Sequence, residues 1–334
     1  MIRNPALDGV RALAAMLVVV HHSQSPWMPG GFIGVDIFFV LSGFLITSLL
    51  MREADSTGTI AIGAFLLRRS VRLMPPLVML LAAALIIGPL FWPDVPIGLI
   101  VAISILYLAD YVSALHGVIP LLGHTWSLAV EEHFYLIWPM AVLGLAKLAQ
   151  RSRIKALAIA FVVATLWRLG NAYHYTEFEM TAFRFDTRLS GLLLGALVSV
   201  SGISLKGRHA NIVGLSSLGA LVVLAFVATQ EPVSTAYLQP LIDMASAGLV
   251  VSLLNNETMI ARAFAWRPIV YIGIISYSVY LWHYPISRAA LMYTNDWRMV
   301  LVVTLVLSLA IAALSWTFLE KPFQSWRRNR FAMA

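Results

Sequence analysis

Apolar residues run along this chain in long blocks rather than in short alternating stretches. Blocks of crossing or near-crossing length fall near 6–23, 33–51, 75–92, 96–114, 128–147, 154–171, 188–202, 211–229, 238–254, 270–290 and 299–319. About 17–25 apolar residues span a bilayer as a helix, and lipid offers no water to satisfy bare backbone groups. The pattern predicts an all-α polytopic membrane protein. The connecting loops are short, the longest being 52–74, 115–127 and 171–187. That leaves one domain over 1–334, with no room for a soluble appendage. Asp8 and Arg11 interrupt the first block and no small-residue cleavage site follows it, so it does not read as a cleaved leader.

Composition agrees. Of the 334 residues, 60% are hydrophobic and 12% charged, against about 45–50% and ~25% in soluble domains. A soluble enzyme and a disordered chain are excluded. The absence of cysteine excludes disulfides, thiolate metal sites and an acyl-cysteine intermediate. The net charge of +7 would suggest nucleic acid in a soluble protein. In a membrane protein it is explained by Lys and Arg gathering in cytoplasmic loops, so no nucleic-acid partner is expected.

Charge also sets the parity of crossings. With Arg3 inside, Arg52, Arg68, Arg69 and Arg72 fall inside. If 96–114 also crossed, Lys147, Arg151, Arg153 and Lys155 would fall outside, as would Lys321, Arg327, Arg328 and Arg330. If 96–114 is instead re-entrant or lies on the outer surface, only Arg168, Arg184, Arg188, Arg288 and Arg298 of the 23 Lys and Arg fall elsewhere. The expectation is about ten transmembrane helices with both termini cytoplasmic.

Ionisable residues inside apolar blocks are costly and face the bundle interior or a wet cavity. The first block carries Asp8, Arg11, His21 and His22. At ~100° per residue Arg11 and His22 share one stripe, about 16 Å apart along the axis. Asp8 is placed to pair locally with Arg11, and His21 to hydrate at the interface. Asp36 enters the second block at a depth near His22 and could orient its imidazole. Arg69 and Arg72, at i,i+3, could form a phosphate-type anion site or an ordinary cytoplasmic cluster. Trp126, Glu131, Glu132 and His133 open a later block, where acid–base chemistry or orientation of His22 is expected. Glu132 and His133 lack helical ligand spacing, and no metal is expected. Arg184, Asp186 and Arg188 sit at the mouth of another block. For His283, packing and chemistry both stand. Trp282, Tyr284 and Trp316 read as interface anchors, and Glu320–Lys321 as a helix stop.

Taken in order, these segments resemble the acyltransferase 3 family of integral-membrane sugar O-acyltransferases. The matching pieces are Leu7-Asp8-Gly-Val-Arg11 with His22, Gly34-Val-Asp36 through Ser42-Gly43-Phe, and Arg69-x-x-Arg72 before Pro75. They continue with Trp126-Ser through Glu131-Glu132-x-Phe-Tyr135, Ser276-Tyr277 through His283-Tyr-Pro285, and Glu320-Lys-Pro322. The set covers almost the whole chain.

The resemblance implies transfer of an acyl group, most often acetyl, from cytoplasmic acyl-CoA to a hydroxyl of a surface or exported carbohydrate. It also implies a bacterial cytoplasmic (inner) membrane. The family's essential histidine and arginine fall on His22 and Arg11, its Arg-x-x-Arg on Arg69 and Arg72, and its acidic motif on Glu131. On this reading Arg69 and Arg72, with Arg68, hold the donor's phosphates. His22 is the general base, with an acyl-histidine intermediate as the competing route, and Glu131 or Asp36 orients it. Trp126, Glu132, Arg184, Asp186 and His283 are the expected acceptor-side residues. No hydrolase-like domain follows the last block, so a stand-alone form is expected. Buried charges and a basic cytoplasmic face also suit a glycan transporter or flippase. Against it stands the lack of an inverted repeat.

Overall fold

The computed structural model describes residues 4–255 and 257–325, and among these every regular element is helical. Arg3, Arg327, Arg328 and Arg330, counted above with the cytoplasmic charges, lie outside the described residues. The helices are α1 (Pro5–His22), α2 (Gly34–Thr57), α3 (Ile62–Phe91), α4 (Ile97–Ile105), α5 (Ala109–His116), α6 (Trp126–Ala146) and α7 (Gln150–His174). They continue with α8 (Phe178–Ala182), α9 (Leu189–Ser201), α10 (Gly207–Val227), α11 (Pro232–Ser252), α12 (Met259–Phe264), α13 (Arg267–Leu291) and α14 (Trp297–Ser315).

Helix α1 begins and ends where local chemistry dictates. The Asn4 side chain accepts from the Ala6 N–H at 3.0 Å, and Pro5 occupies the first helical turn, where its missing N–H is not needed. At the other end Gln24 takes φ 59°, a left-handed turn that closes the helix after His22. The chain then folds back over α1, so that a Cβ on Gly34 would strike the Ala14 carbonyl.

α2 is the interior helix. Its most apolar window is 78% buried, against 22–33% for α3, α7, α10 and α14, whose exposed Leu, Ile and Val form the lipid-facing ring. Without a hydrophobic force between helices in lipid, close packing of small residues holds them together. α2 and α9 show this reciprocally. A Cβ on Gly43 would meet the Leu192 carbonyl, and one on Gly195 the Val40 carbonyl. α13 approaches α1 in the same way, through Gly273 against the Asp8 carbonyl.

The interior ends of α2, α9 and α11 are joined by a buried ionic network. Arg188 donates to Asp36 at 2.7 Å, and Gln239 donates to Asp36 at 3.0 Å and to Asp243 at 2.8 Å. Ser190 donates to Asp243 at 2.6 Å. Arg168 on α7 is buried and reaches the Thr187 carbonyl. Arg188 is thus held by a buried carboxylate, whereas Arg168 Nε and Nη2 have no hydrogen-bond partner.

Seven helical segments are long and apolar enough to cross a membrane, among the described residues. The expectation of a polytopic helical membrane protein is met, and these seven are the spans that length and hydropathy identify by themselves. α9 has only 13 residues. α1 carries the half-buried Asp8, Arg11, His21 and His22, and α11 the buried Gln239 and Asp243, and both so lose the hydropathy of a lipid-facing span. The stretch 96–114 breaks at Tyr107, with φ 54°, into α4 and α5 of 9 and 8 residues, neither of crossing length.

Candidate active site

Two cavities meet at a wall of arginines. The larger, about 540 Å³, opens at the Arg11 end of α1 and is lined by Asp8, Arg11, Arg68, Arg69, Arg72 and Glu320, among others. The smaller, about 70 Å³, lies deeper. Arg11, Arg69, Arg72 and Tyr277 belong to both. The i,i+3 spacing on α3 does place Arg69 and Arg72 on one face, and Arg11 from α1 joins them. Asp8 lies close enough to Arg11 to act on its charge. Arg68 lines only the outer vestibule and pairs with Glu53 at 3.5 Å.

The chamber's inner side comes from α2, α6 and α13. Tyr135 donates to Glu131 at 2.9 Å and shares a 2.7 Å hydrogen bond with Ser42. The Arg69 guanidinium lies over the Tyr135 ring, 4.2 Å from its centroid. Arg69 Nε is buried with no hydrogen-bond partner. A buried unpaired guanidinium donor is expensive, and an anionic ligand group is the natural partner for it.

Tyr280 closes the chamber. Its hydroxyl donates to the His124 carbonyl at 3.0 Å and hydrogen-bonds Ser127 at 2.6 Å. Behind it stand three imidazoles. His22 lies 4.9 Å, ring to ring, from His283, and His124 lies 5.6 Å from His283. His22 Nδ1 is 3.0 Å from the Val18 carbonyl and 3.2 Å from His283 Nε2. His283 Nδ1 faces the Tyr280 carbonyl. The Tyr284 ring stands edge-on to His22 at 5.0 Å and stacks on His124. Gly123 lets this stack form, since a Cβ there would meet the Tyr284 hydroxyl at 2.8 Å.

Several expectations need correction. Asp36 does not orient His22; it is held by Arg188 and Gln239. Glu131 lines the arginine chamber and accepts from Tyr135, and His22 is braced by His283 instead. Glu320 is not a simple helix stop. A π-helical turn, Trp316–Glu320, swings its carboxylate inward, where Ser278 at 2.7 Å and Ser315 at 3.1 Å donate to it. Such turns recur at functional sites. Tyr284 is buried beside His22 rather than anchored at the interface. His21 does more than hydrate, its Nδ1 lying 2.8 Å from the Pro29 carbonyl.

The remaining acceptor-side candidates lie at the His22 end, around the entrance to α6 and α9. Trp126 stacks on Phe183 at 4.9 Å and carries the Arg188 guanidinium over its ring at 5.0 Å. Glu132 is half-buried and does not line the chamber. Arg184 and Asp186 pair, and Trp167 donates to Asp186 at 2.7 Å. Burial disfavours the charged Arg184, but the hydrogen bond and charge of Asp186 outweigh it and raise its pKa. Nearby, His133 meets buried Asp110 at 3.2 Å. His124 and Tyr284 are the residues sequence reasoning missed. His124 lay only two residues before the motif tryptophan, and a buried histidine at a helix entrance was the available signal.

The arrangement offers an arginine-lined vestibule, a narrow chamber and, past Tyr280, a pair of imidazoles in contact. Residues 4–319 match a protein family described as an acyltransferase domain. The chain is 31% identical over 356 residues to the peptidoglycan O-acetyltransferase OatA of Listeria monocytogenes serovar 1/2a, covering 98% of this chain and 56% of that protein. It is 30% identical over 358 residues to the O-acetyltransferase OatA of Staphylococcus aureus NCTC 8325, covering 98% of this chain and 58% of that protein. The chain thus spans a little over half the length of the curated relatives it matches. No solved structure matches it.

Proposed function

The chain belongs to the acyltransferase 3 family, and from that premise we propose that this multi-pass membrane enzyme moves an acetyl group from cytoplasmic acetyl-CoA, or another acyl-CoA, to a hydroxyl of a surface or exported carbohydrate. The acceptor class is taken from the relatives, one of which is named for peptidoglycan. We place the enzyme in a bacterial cytoplasmic membrane with about ten crossings and both termini inside, which keeps the arginine vestibule on the side where the donor is made.

One observation carries the reading: Arg11, Arg69 and Arg72 form a wall shared by a wide vestibule and a narrow chamber lined by Tyr280, whose ring lies 5.2 Å from that of His283. The vestibule suits the donor's phosphates, which two forked guanidiniums bind well. The long uncharged arm of the donor suits the chamber. A span of about 16 Å between Arg11 and His22 along α1 would bring the thioester toward the imidazoles once Tyr280 gives way.

His22 then acts as general base. It takes the hydroxyl proton as the sugar oxygen attacks the thioester carbon. The C–O bond forms, the C–S bond breaks, and the leaving sulfur takes the proton back from the imidazolium. The products are the acyl ester and free CoA thiol. Arg188, Trp126 and Asp36 hold the entrance in shape rather than take part.

The test is acyl transfer in proteoliposomes with radiolabelled acetyl-CoA and a crude glycan fraction, wild type beside His22→Ala. Label in the glycan that is lost in the variant supports the reading. Transfer by a folded, inserted His22→Ala protein at the normal rate would sink it.

A further inference from the structure

The hydrogen-bonding directions around His22 determine where its protons sit. His283 is fully buried. Its Nδ1 faces the Tyr280 carbonyl oxygen, and a carbonyl only accepts, so Nδ1 carries a hydrogen. In a neutral imidazole the other nitrogen is then bare. That bare Nε2 lies 3.2 Å from His22 Nδ1. Two lone pairs would repel at this distance, so His22 Nδ1 carries a hydrogen as well. A second contact requires the same: His22 Nδ1 is 3.0 Å from the Val18 carbonyl, another pure acceptor. With the hydrogen committed to Nδ1, His22 Nε2 is left with its lone pair.

We propose that His283 is the positioning residue that holds His22 in its Nδ1–H tautomer and so presents a bare Nε2 to the acceptor hydroxyl. This rests on the reading of His22 as the base. The carboxylates expected to do the task are engaged elsewhere, Asp36 with Arg188 and Glu131 with Tyr135. A neutral imidazole therefore stands where acid–histidine sites place an anion. When Nε2 takes the hydroxyl proton, the Nδ1 hydrogen is shared between the Val18 carbonyl at 3.0 Å and the bare His283 Nε2 at 3.2 Å. It can pass to His283 Nε2, whose ring already donates through Nδ1 to the Tyr280 carbonyl. The positive charge is thereby shared by two rings without a buried carboxylate, and the pair holds the hydroxyl proton until the leaving sulfur takes it.

Nitrogen-15 NMR of histidine-labelled protein in nanodiscs reads the tautomer directly, with His22→Asn identifying the His22 signals. The expected result is a protonated Nδ1 and a bare Nε2 on His22 in the resting enzyme. A His22 ring protonated at Nε2 would overturn the proposal. So would unchanged His22 signals in His283→Leu. In turnover, His283→Leu is expected to lower kcat by roughly 10- to 10²-fold, part of the ~10²–10⁴ that a general base supplies, with donor KM unchanged. His283→Gln, whose amide oxygen can accept the same hydrogen bond, is expected to recover part of that loss. Equal losses in both variants, or a change confined to KM, would reduce His283 to a packing role. If His22→Ala stays active while the tautomer is as stated, the base assignment fails and the positioning geometry does not.

Discussion

Asp36 and Arg188 come from helices far apart in sequence and meet at 2.7 Å, their side chains only 1% and 2% exposed. Breaking a buried pair strands a charge and costs roughly 3–5 kcal/mol. Arg188→Met should therefore lower the melting temperature sharply in detergent. The double variant Arg188→Met with Asp36→Leu should recover much of the loss, because neither charge is then stranded. Equal destabilisation by the single and double variants would contradict the pairing.

His22→Ala is expected to lower turnover by about 10²–10⁴-fold. Its affinity for acetyl-CoA should stay near wild type, because the arginine wall lies at the other end of α1. Parallel titration calorimetry and turnover assays separate the two quantities.

Arg72→Ala removes a charged hydrogen-bonding group from both cavities. Such bonds are worth roughly 1.5–3 kcal/mol, which reads as about a 10–100-fold rise in donor KM. Arg72→Lys should recover only part, since an ammonium lacks the planar fork. A variant with normal donor KM would move the phosphate site elsewhere.

Gly195 allows α9 to touch the backbone of α2, whereas a Cβ on Gly144 would meet nothing within 4 Å. Gly195→Leu should force the pair apart at a cost of about 1–3 kcal/mol or more, and Gly144→Ala should be nearly silent. Thermal melts of the two variants in the same detergent check the contrast.

Much of this was legible in the sequence, and the parts that were not share a cause. Helical arithmetic put Arg11 and His22 on one stripe of α1, and i,i+3 spacing put Arg69 and Arg72 together. Both are properties within one helix. Asp36 was placed at the right depth but given the wrong partner. Depth follows from position in a block, whereas the direction a side chain faces depends on how α2 turns against α9 and α11. Tyr284 failed in the same way, because an anchoring tyrosine and a buried one look alike in sequence. Glu320 could be placed only by a π-helical turn that no periodicity announces. Length and hydropathy pick out seven spans and pass over α1 and α11, which carry polar residues among their apolar ones.

The reciprocal seating of Gly43 on α9 and Gly195 on α2 also bears on how the enzyme can move. Interlocked backbones slide poorly, because each glycine is walled in by the other helix's carbonyls, and packed interfaces of this kind switch between discrete arrangements rather than deform smoothly. The Gly273 contact ties α1 to α13 in the same manner. The frame that carries His22, Arg11 and His283 should thus be the part that moves least. Any opening for the proposed acceptor would then fall to the short pieces packed around it, α4, α5, α8 and the turn at Leu121, where the backbone takes φ 62°. A turnover cycle built this way would gate at its periphery and leave its reactive geometry undisturbed.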